Sequence, residues 1–318
     1  MTAQRRILVT GASGQDGSYL IERLVAEGSE IHAVTREPGA SSDGTTRHIC
    51  DLGDPAQISR LIADVEPEVV FNLAGISSVA FSWQKPIETV QVSGLAVVAL
   101  LEACHALQER TGHAVRVVQA SSSEIFGAAE HSPQVESTPI RPLSPYGAAK
   151  ALAHNSVGVY RARDLFCSSA ILYNHESPRR PDTFVTRKIT QGAARIAAGL
   201  DRTLSLGNLD ARRDWGWAPD YVDAMVRMSR ADQPGDFVIA TGETHAVRDF
   251  VAAAFLRAGI ADWQSRVDID PRFLRPADVH EMRGDPSKAR DTLGWSPTRT
   301  FSDVVNAMVD YDLALLDS

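Results

Sequence analysis

A chain of 318 residues with 44% apolar and 23% charged side chains can bury a large core, in one big domain or in two that share an interface. Its net charge of −8 argues against a broad nucleic-acid footprint but leaves room for a local basic pocket that takes phosphates. Three cysteines, Cys50, Cys104 and Cys167, stand far apart with no CxxC or Cys/His cluster, which argues against a disulfide framework and a structural zinc site and fits a reducing cytoplasm.

The N-terminal stretch MTAQRRILVTG enters a strand, RILVT at 6–10, without the longer apolar region of a signal peptide. Glycines 11, 14 and 17 follow, and then YLIERLVAE at 19–27 with helical spacing. Glycine allows both a tight turn and the close approach of a pyrophosphate, and a helix N-terminus directs free N–H groups at the anion. The strand–turn–helix context makes this a dinucleotide cradle. The second strand, IHAVT at 31–35, runs into Arg36 and Glu37. An acid there suits a ribose 2′-hydroxyl and an arginine a 2′-phosphate, so Arg36 favours NADP over NAD. GASSDGTT at 39–46 is the most loop-like stretch. Asp51 and Leu52, past the third strand, could receive the adenine, and Asp51 alone could equally cap the next helix.

EVVFNLA at 68–74 and VRVVQAS at 115–121 read as strands. Between them LAVVALLEACHAL at 95–107 reads as a helix too short to span a bilayer, and it carries Glu102. In SPYGAAK at 144–150, Ser144 is a good N-cap and Pro145 a good first helical residue. Tyr146 and Lys150 then share a face, where an ammonium would lower the phenol below its usual value of about 10 and fit it to act as a general base. CSSAILY at 167–173 closes the series. Strands of nearly continuous apolar residues alternating with helices predict an α/β fold, a Rossmann-type doubly wound parallel sheet. After Tyr173 the polar and basic run NHESPRRPDTFVTRK begins, helices dominate, and DFVIATG at 236–242 is the one clear strand candidate. The expected division is a cofactor domain at 1–173 and a smaller, mainly helical substrate region at 174–318, with segments free to cross back to the sheet.

GxxGxxG, Asp51-Leu52, Asn72-Leu73-Ala74, the Ala-Ser-Ser-Ser tract at 120–123 and the Tyr146/Lys150 pair resemble, in order, the extended short-chain dehydrogenase/reductase superfamily. NHESPRR (174–180), TFVTRKIT (183–190), LGNLDARRDWG (206–216), DPRFLRPADV (270–279) and GDPSKARDTLGW (284–295) narrow the resemblance to the GDP-mannose 4,6-dehydratase family. That resemblance implies a hydro-lyase with bound NADP that turns GDP-mannose into a 4-keto-6-deoxy sugar by hydride transfer from C4 to C6. A reductase of that keto sugar, or a dehydratase of another nucleotide sugar, is the alternative on the same scaffold. It implies catalytic roles for Ser122, Glu124, Tyr146 and Lys150. Cofactor contacts would come from Gly11, Ser13, Gly14, Gln15, Asp16, Gly17, Arg36, Asp51, Leu52, Leu73, Ala74, Gly75 and Ser77, besides Tyr146 and Lys150. His175 and Arg180 would face the nicotinamide end. Ser77, Ser122, Asn174, Val185, Lys188, Arg213 and Arg275 would hold the diphosphate and sugar, and Asp278 the ribose. No metal, membrane or nucleic acid is implied.

Ser122 stands where the family has threonine, which preserves the hydroxyl. The loop after the second strand is shorter than the family's arginine-rich one, which contacts a neighbouring subunit, so a homodimer is expected and a homotetramer is left open. Trp215, Trp217 and Trp295 read as packing groups, His154 and Asn155 as packing or interface residues, and Arg179 and Arg212 as solvated.

Overall fold

The computed structural model describes residues 5–36, 44–273 and 279–317. Strand and helix alternate from the start: β1 (Arg6–Thr10), α1 (Gln15–Ala26), β2 (Glu30–Thr35), β3 (Thr45–Ile49), α2 (Pro55–Val65) and β4 (Val69–Asn72). Helices α3 (Val79–Gln84) and α4 (Pro86–Val90) lead through a π-turn at Gln91–Leu95 into α5 (Ala96–Thr111). Then come β5 (Arg116–Ala120), α6 (Pro145–Arg161), β6 (Phe166–Leu172), β7 (Asn174–Glu176) and α7 (Val185–Ala197). Short strands β8 (Leu204–Leu206), β9 (Arg212–Arg213) and β10 (Trp215–Trp217) precede α8 (Ala218–Arg230) and β11 (Asp236–Ile239). The chain finishes with β12 (His245–Ala246), α9 (Val247–Arg257), β13 (Val267–Ile269), β14 (Glu281–Met282), α10 (Ser287–Leu293) and α11 (Phe301–Leu316).

Seven strands form one sheet in the order β11-β6-β5-β4-β1-β2-β3, and every pairing in it is parallel. A parallel sheet must be covered on both faces. On one face Leu20, Ile21 and Leu24 of α1 pack with Tyr221, Met225 and Met228 of α8. On the other, Ile58 and Ile62 of α2 meet Leu100 and Leu101 of α5 and Val157 of α6. All four residues of β4 are buried, as a central strand requires. A third core joins Ile189 of α7, Phe250 of α9, and Val305 and Met308 of α11 around Trp215.

Four expectations need correction. Helices do dominate the second half, but DFVIATG does not supply its one strand, because β7–β10 and β12–β14 form three small sheets beside the main one. Bridges of two or three residues are too short to carry a readable alternation. The apolar helix is also longer than its pattern suggests, since Pro86 opens it and the π-turn continues it to Thr111, 26 residues in all. It is therefore long and apolar enough to cross a membrane, and half of its apolar window is buried inside the protein. Asp51 is not the cap of α2: Asp54 is, accepting from the Ala56 N–H at 2.9 Å, while Asp51 accepts from Gly53 at 2.9 Å. Of the loop-like stretch 39–46, the part up to 43 lies outside the described residues, and Thr45 and Thr46 already belong to β3.

Candidate functional site

Parallel strands all end on one edge of their sheet, and a ligand crevice forms there where neighbouring connections diverge. At the end of β1, Gly11 has φ +66°, and a Cβ on Gly17 would lie 2.2 Å from the Gly11 carbonyl oxygen. Only glycine fits that turn. Gly14 caps α1 with no side-chain acceptor, so the orphan N–H groups of the first turn are left for an anion. Ser13 and Gly14 are exposed at its rim. Arg36 and Asp51 are exposed past the outer strands β2 and β3, with Leu52 half-buried beside them. Past β4 lie Leu73 and Ala74, half-buried, and Gly75 and Ser77, exposed.

A ladder of buried side chains crosses this edge. Thr10 Oγ1 donates to Asn72 Oδ1 (2.5 Å), Asn72 Nδ2 to Gln119 Oε1 (2.6 Å), and Gln119 Nε2 to the Ala120 carbonyl (2.8 Å). Lys150 Nζ donates to that same carbonyl at 2.8 Å. Thr10 Oγ1 also accepts from the Ala74 N–H at 3.1 Å, which fixes the turn after β4. Ser93, in the π-turn, accepts from the Ile76 N–H at 2.9 Å. A Cβ on Gly75 would sit 3.1 Å from Ser93 Oγ and 3.7 Å from Lys150 Nζ. Thr10, Ser93 and Gln119 are missing from the sequence-based set. Thr10 and Gln119 carry one signal, a polar residue at or near the C-terminal end of an apolar strand, whereas Ser93 in the mixed run QVSGL carries none.

Ser144 Oγ accepts from the Gly147 N–H at 3.0 Å, so α6 begins where its sequence says, and Tyr146 falls in the first turn. Both Tyr146 and Lys150 are buried. The Tyr146 phenol is pushed up to about 12, chiefly by burial, with Glu124 and Asp16 adding to the rise while a Ser122 hydrogen bond and Arg180 oppose it. Burial pushes the Lys150 ammonium down to about 8, against the charge of Asp16. The expected lowering of the phenol by its lysine is therefore not present. The shared face is real, but the Ala120 carbonyl draws the ammonium to the strand, 5.9 Å from the Tyr146 ring centroid. Ser122 caps a 3-10 turn at Ser123–Ile125 by accepting from the Glu124 N–H at 3.2 Å, which places Glu124 beside the phenol.

The second half approaches through β7, which carries Asn174 and His175. His175 Nε2 lies 2.9 Å from Asp16 Oδ2 and Nδ1 lies 2.7 Å from the Tyr173 carbonyl. Burial works against its charge, but Asp16 outweighs burial and holds the imidazole above its ordinary value. Arg180 Nε is 3.3 Å from Glu176 Oε2, with the guanidinium 3.8 Å over the Phe184 ring. Val185 opens α7, and Lys188 Nζ is 3.5 Å from the Phe273 ring centroid. Arg213 is buried and donates to the carbonyls of Arg212 (2.9 Å) and Val279 (2.8 Å). Arg275 and Asp278 lie outside the described residues, between Phe273 and Val279. Asp16, Ser122, Glu124, Tyr146, Lys150, His175 and Arg180 thus converge, whereas Arg36 and Asp51 stand apart at the outer strands.

Trp215 and Trp295 are buried packing groups, and Trp217 lies under Arg299 at 4.2 Å. His154 does more than pack: its Nδ1 is 3.2 Å from Ser121 Oγ, next to Ser122. Arg179 is not simply solvated, since its guanidinium lies 4.0 Å over Tyr19 and bonds Ser18 Oγ at 3.0 Å. Arg212 likewise donates to the Thr244 carbonyl at 2.7 Å. Among the described residues no group of three or more His, Cys, Asp or Glu could hold a metal ion.

Residues 8–308 match the family model for GDP-mannose 4,6 dehydratase. The Arabidopsis thaliana protein named GDP-mannose 4,6 dehydratase 1 is 42% identical over 97% of this chain and 90% of its own length. The Vibrio cholerae GDP-mannose 4,6-dehydratase is 40% identical, over 98% and 94% respectively. The solved UDP-glucose 4-epimerase of Thermus thermophilus, a complex with NAD, superposes with a TM-score of 0.84 at 28% identity, covering 96% of this chain and 98% of its own. RMD from Pseudomonas aeruginosa, complexed with NADPH, shares the fold with a TM-score of 0.81 at 23% identity, covering 98% and 100%.

Proposed function

The chain belongs to the GDP-mannose 4,6-dehydratase family, and on that premise we propose that it converts GDP-D-mannose to GDP-4-keto-6-deoxy-D-mannose and water. The observation that carries this reading is the convergence of buried Ser122, Tyr146 and Lys150 with half-buried Glu124 at the ends of the parallel strands. The uncapped start of α1 and the space only a glycine leaves at position 17 fit a dinucleotide pyrophosphate. Exposed Arg36 fits a 2′-phosphate, so the cofactor proposed is NADP. When bound, NADP supplies a hydride store that is oxidised at the start and at the end of each turnover.

The chain's own residues move two protons. Ser122 orients O4, and Tyr146 accepts the C4 hydroxyl proton as that carbon becomes a ketone. The Lys150 ammonium supports the Tyr146 phenolate that takes this proton. A 4-ketone acidifies the hydrogen on C5. Glu124 takes it and passes it to the C6 hydroxyl, which leaves as water. The proton held by Tyr146 then returns to C5 as C6 is reduced, so no proton is gained or lost over the cycle. Asn174, Val185, Lys188, Arg213, Arg275 and Asp278 are proposed to hold the GDP-sugar, with Ser77 at the sugar, and His175 and Arg180 to flank the nicotinamide end. Guanidinium forks suit phosphate oxygens. A cytoplasmic homodimer is part of the proposal, supported by three free, buried thiols and by exposed apolar side chains along α4–α6.

Purified protein given GDP-mannose and no added cofactor should form a 4-keto product, and denaturation should release NADP. Stoichiometric NAD in its place would overturn the assignment of Arg36. In Glu124→Gln, C4 should still be oxidised while elimination stalls, so NADPH absorbance should build up and solvent deuterium should not enter at C5. Untouched GDP-mannose together with NADPH-dependent reduction of the keto sugar would make the protein a reductase.

A further inference from the structure

The first turn of α1 faces two ways. Its backbone N–H groups form the anion cradle, while its side chains reach across some 160 residues of sequence to β7 and the segment after it. Gln15 Nε2 donates to the His175 carbonyl at 3.0 Å, and Ser177 Oγ donates to Gln15 Oε1 at 2.8 Å. Asp16 Oδ2 accepts from His175 Nε2 at 2.9 Å. Because His175 Nδ1 also faces an acceptor, the Tyr173 carbonyl, both ring nitrogens carry protons and the contact is an ion pair. The ring is clamped further by stacking on Tyr221, 4.6 Å between centroids at 24°. Gln15, His175 and Ser177 are all buried, Ser177 fully. Polar groups out of reach of water must keep their partners, so α1 and β7 cannot shift independently without stranding several of them.

We infer that Gln15, Asp16, His175 and Ser177 form a latch through which cofactor occupancy sets the affinity for the sugar nucleotide, with Gln15 and Ser177 as positioning residues. An anion on the cradle orders the start of α1, the latch carries that order into β7, and β7 presents Asn174. The inference rests on the proposed function in taking Asn174 as a contact of the GDP-sugar. The coupling is reciprocal, so a sugar nucleotide that orders β7 also slows loss of the cofactor. Chemistry that stores a hydride on the cofactor in mid-reaction has a use for such retention.

Calorimetric titration with GDP as the probe tests this on NADP-loaded and on stripped protein. Wild-type affinity should be about tenfold higher when loaded, and the ratio should fall below about twofold in Ser177→Ala and in Gln15→Met. Combining the two substitutions should remove little more coupling than either alone. A merely structural role would lower the melting temperature and leave the ratio intact. As a second readout that needs no GDP, NADP should slow hydrogen exchange at the β7 amides in wild type and not in Ser177→Ala. Equal GDP affinity with and without NADP in wild type, or a wild-type ratio in the folded variants, would overturn the latch while leaving the proposed function standing. Failure of GDP to bind in either state would overturn both.

Discussion

Lys150 holds its proton near neutral pH by a small margin. Burial brings the ammonium down to about 8, and Asp16 is the charge that opposes the fall. The Ala120 carbonyl fixes its place without adding charge. Below about pH 8 the ammonium is present and can support a Tyr146 phenolate. Above it the amine is neutral and that support is gone. kcat/KM should therefore fall as pH rises through about 8, and Lys150→Arg should lack this alkaline limb although its rate is lower throughout. The pH profiles of the two proteins check this, and an unchanged limb in the arginine variant would assign it to another group. The sequence made the Tyr146/Lys150 spacing legible, because a cap and a four-residue interval are local features. The 5.9 Å that separates ammonium from ring was not legible, since it depends on a backbone carbonyl at the end of β5, which no residue type marks.

At the scale of elements, the turn between β1 and α1 does its work through space it lacks. Gly17→Ala would put a Cβ 2.2 Å from Gly11 O and 2.9 Å from Ala12 Cα, all backbone atoms, so the turn must open. Such overpacking costs about 1–3 kcal/mol. The opened turn should no longer seat a pyrophosphate, so the purified variant should carry no NADP while keeping its circular dichroism. A full complement of nucleotide released on denaturation would refute this. The long strands were readable because burial on both faces forces runs such as the VVF of β4, whereas β9 and β12 hold two residues each and exist only through their partners. The helix from Pro86 to Thr111 was underestimated for a similar reason. Its π-turn is shaped by close packing on α6, where a Cβ on Gly94 would lie 3.1 Å from Leu152 and 3.3 Å from the Ala149 carbonyl oxygen.

For the whole molecule, the outer side of α4–α6 presents Ile87 at 72% and Val159 at 61% exposure, with Leu95 and Leu152 between them. Light scattering should find a dimer, and Leu152→Glu combined with Val159→Glu should yield a folded monomer. A monomeric wild type at micromolar concentration would rule out that face as the contact. The return of α8 and β11 bears on recombining this protein with relatives of other specificity. Residues 218–239 complete the sheet that residues 6–172 begin: β11 pairs with β6, and Asp223 of α8 meets Arg23 of α1 at 2.5 Å. A chimera spliced once at 173 would press a foreign edge strand against β6 and a foreign helix against α1, both through buried side chains such as Phe237 and Tyr221. On the proposed division into cofactor and substrate regions, a graft of the substrate region would instead take two inserts, 174–217 and 240–317, with the native segment kept between them.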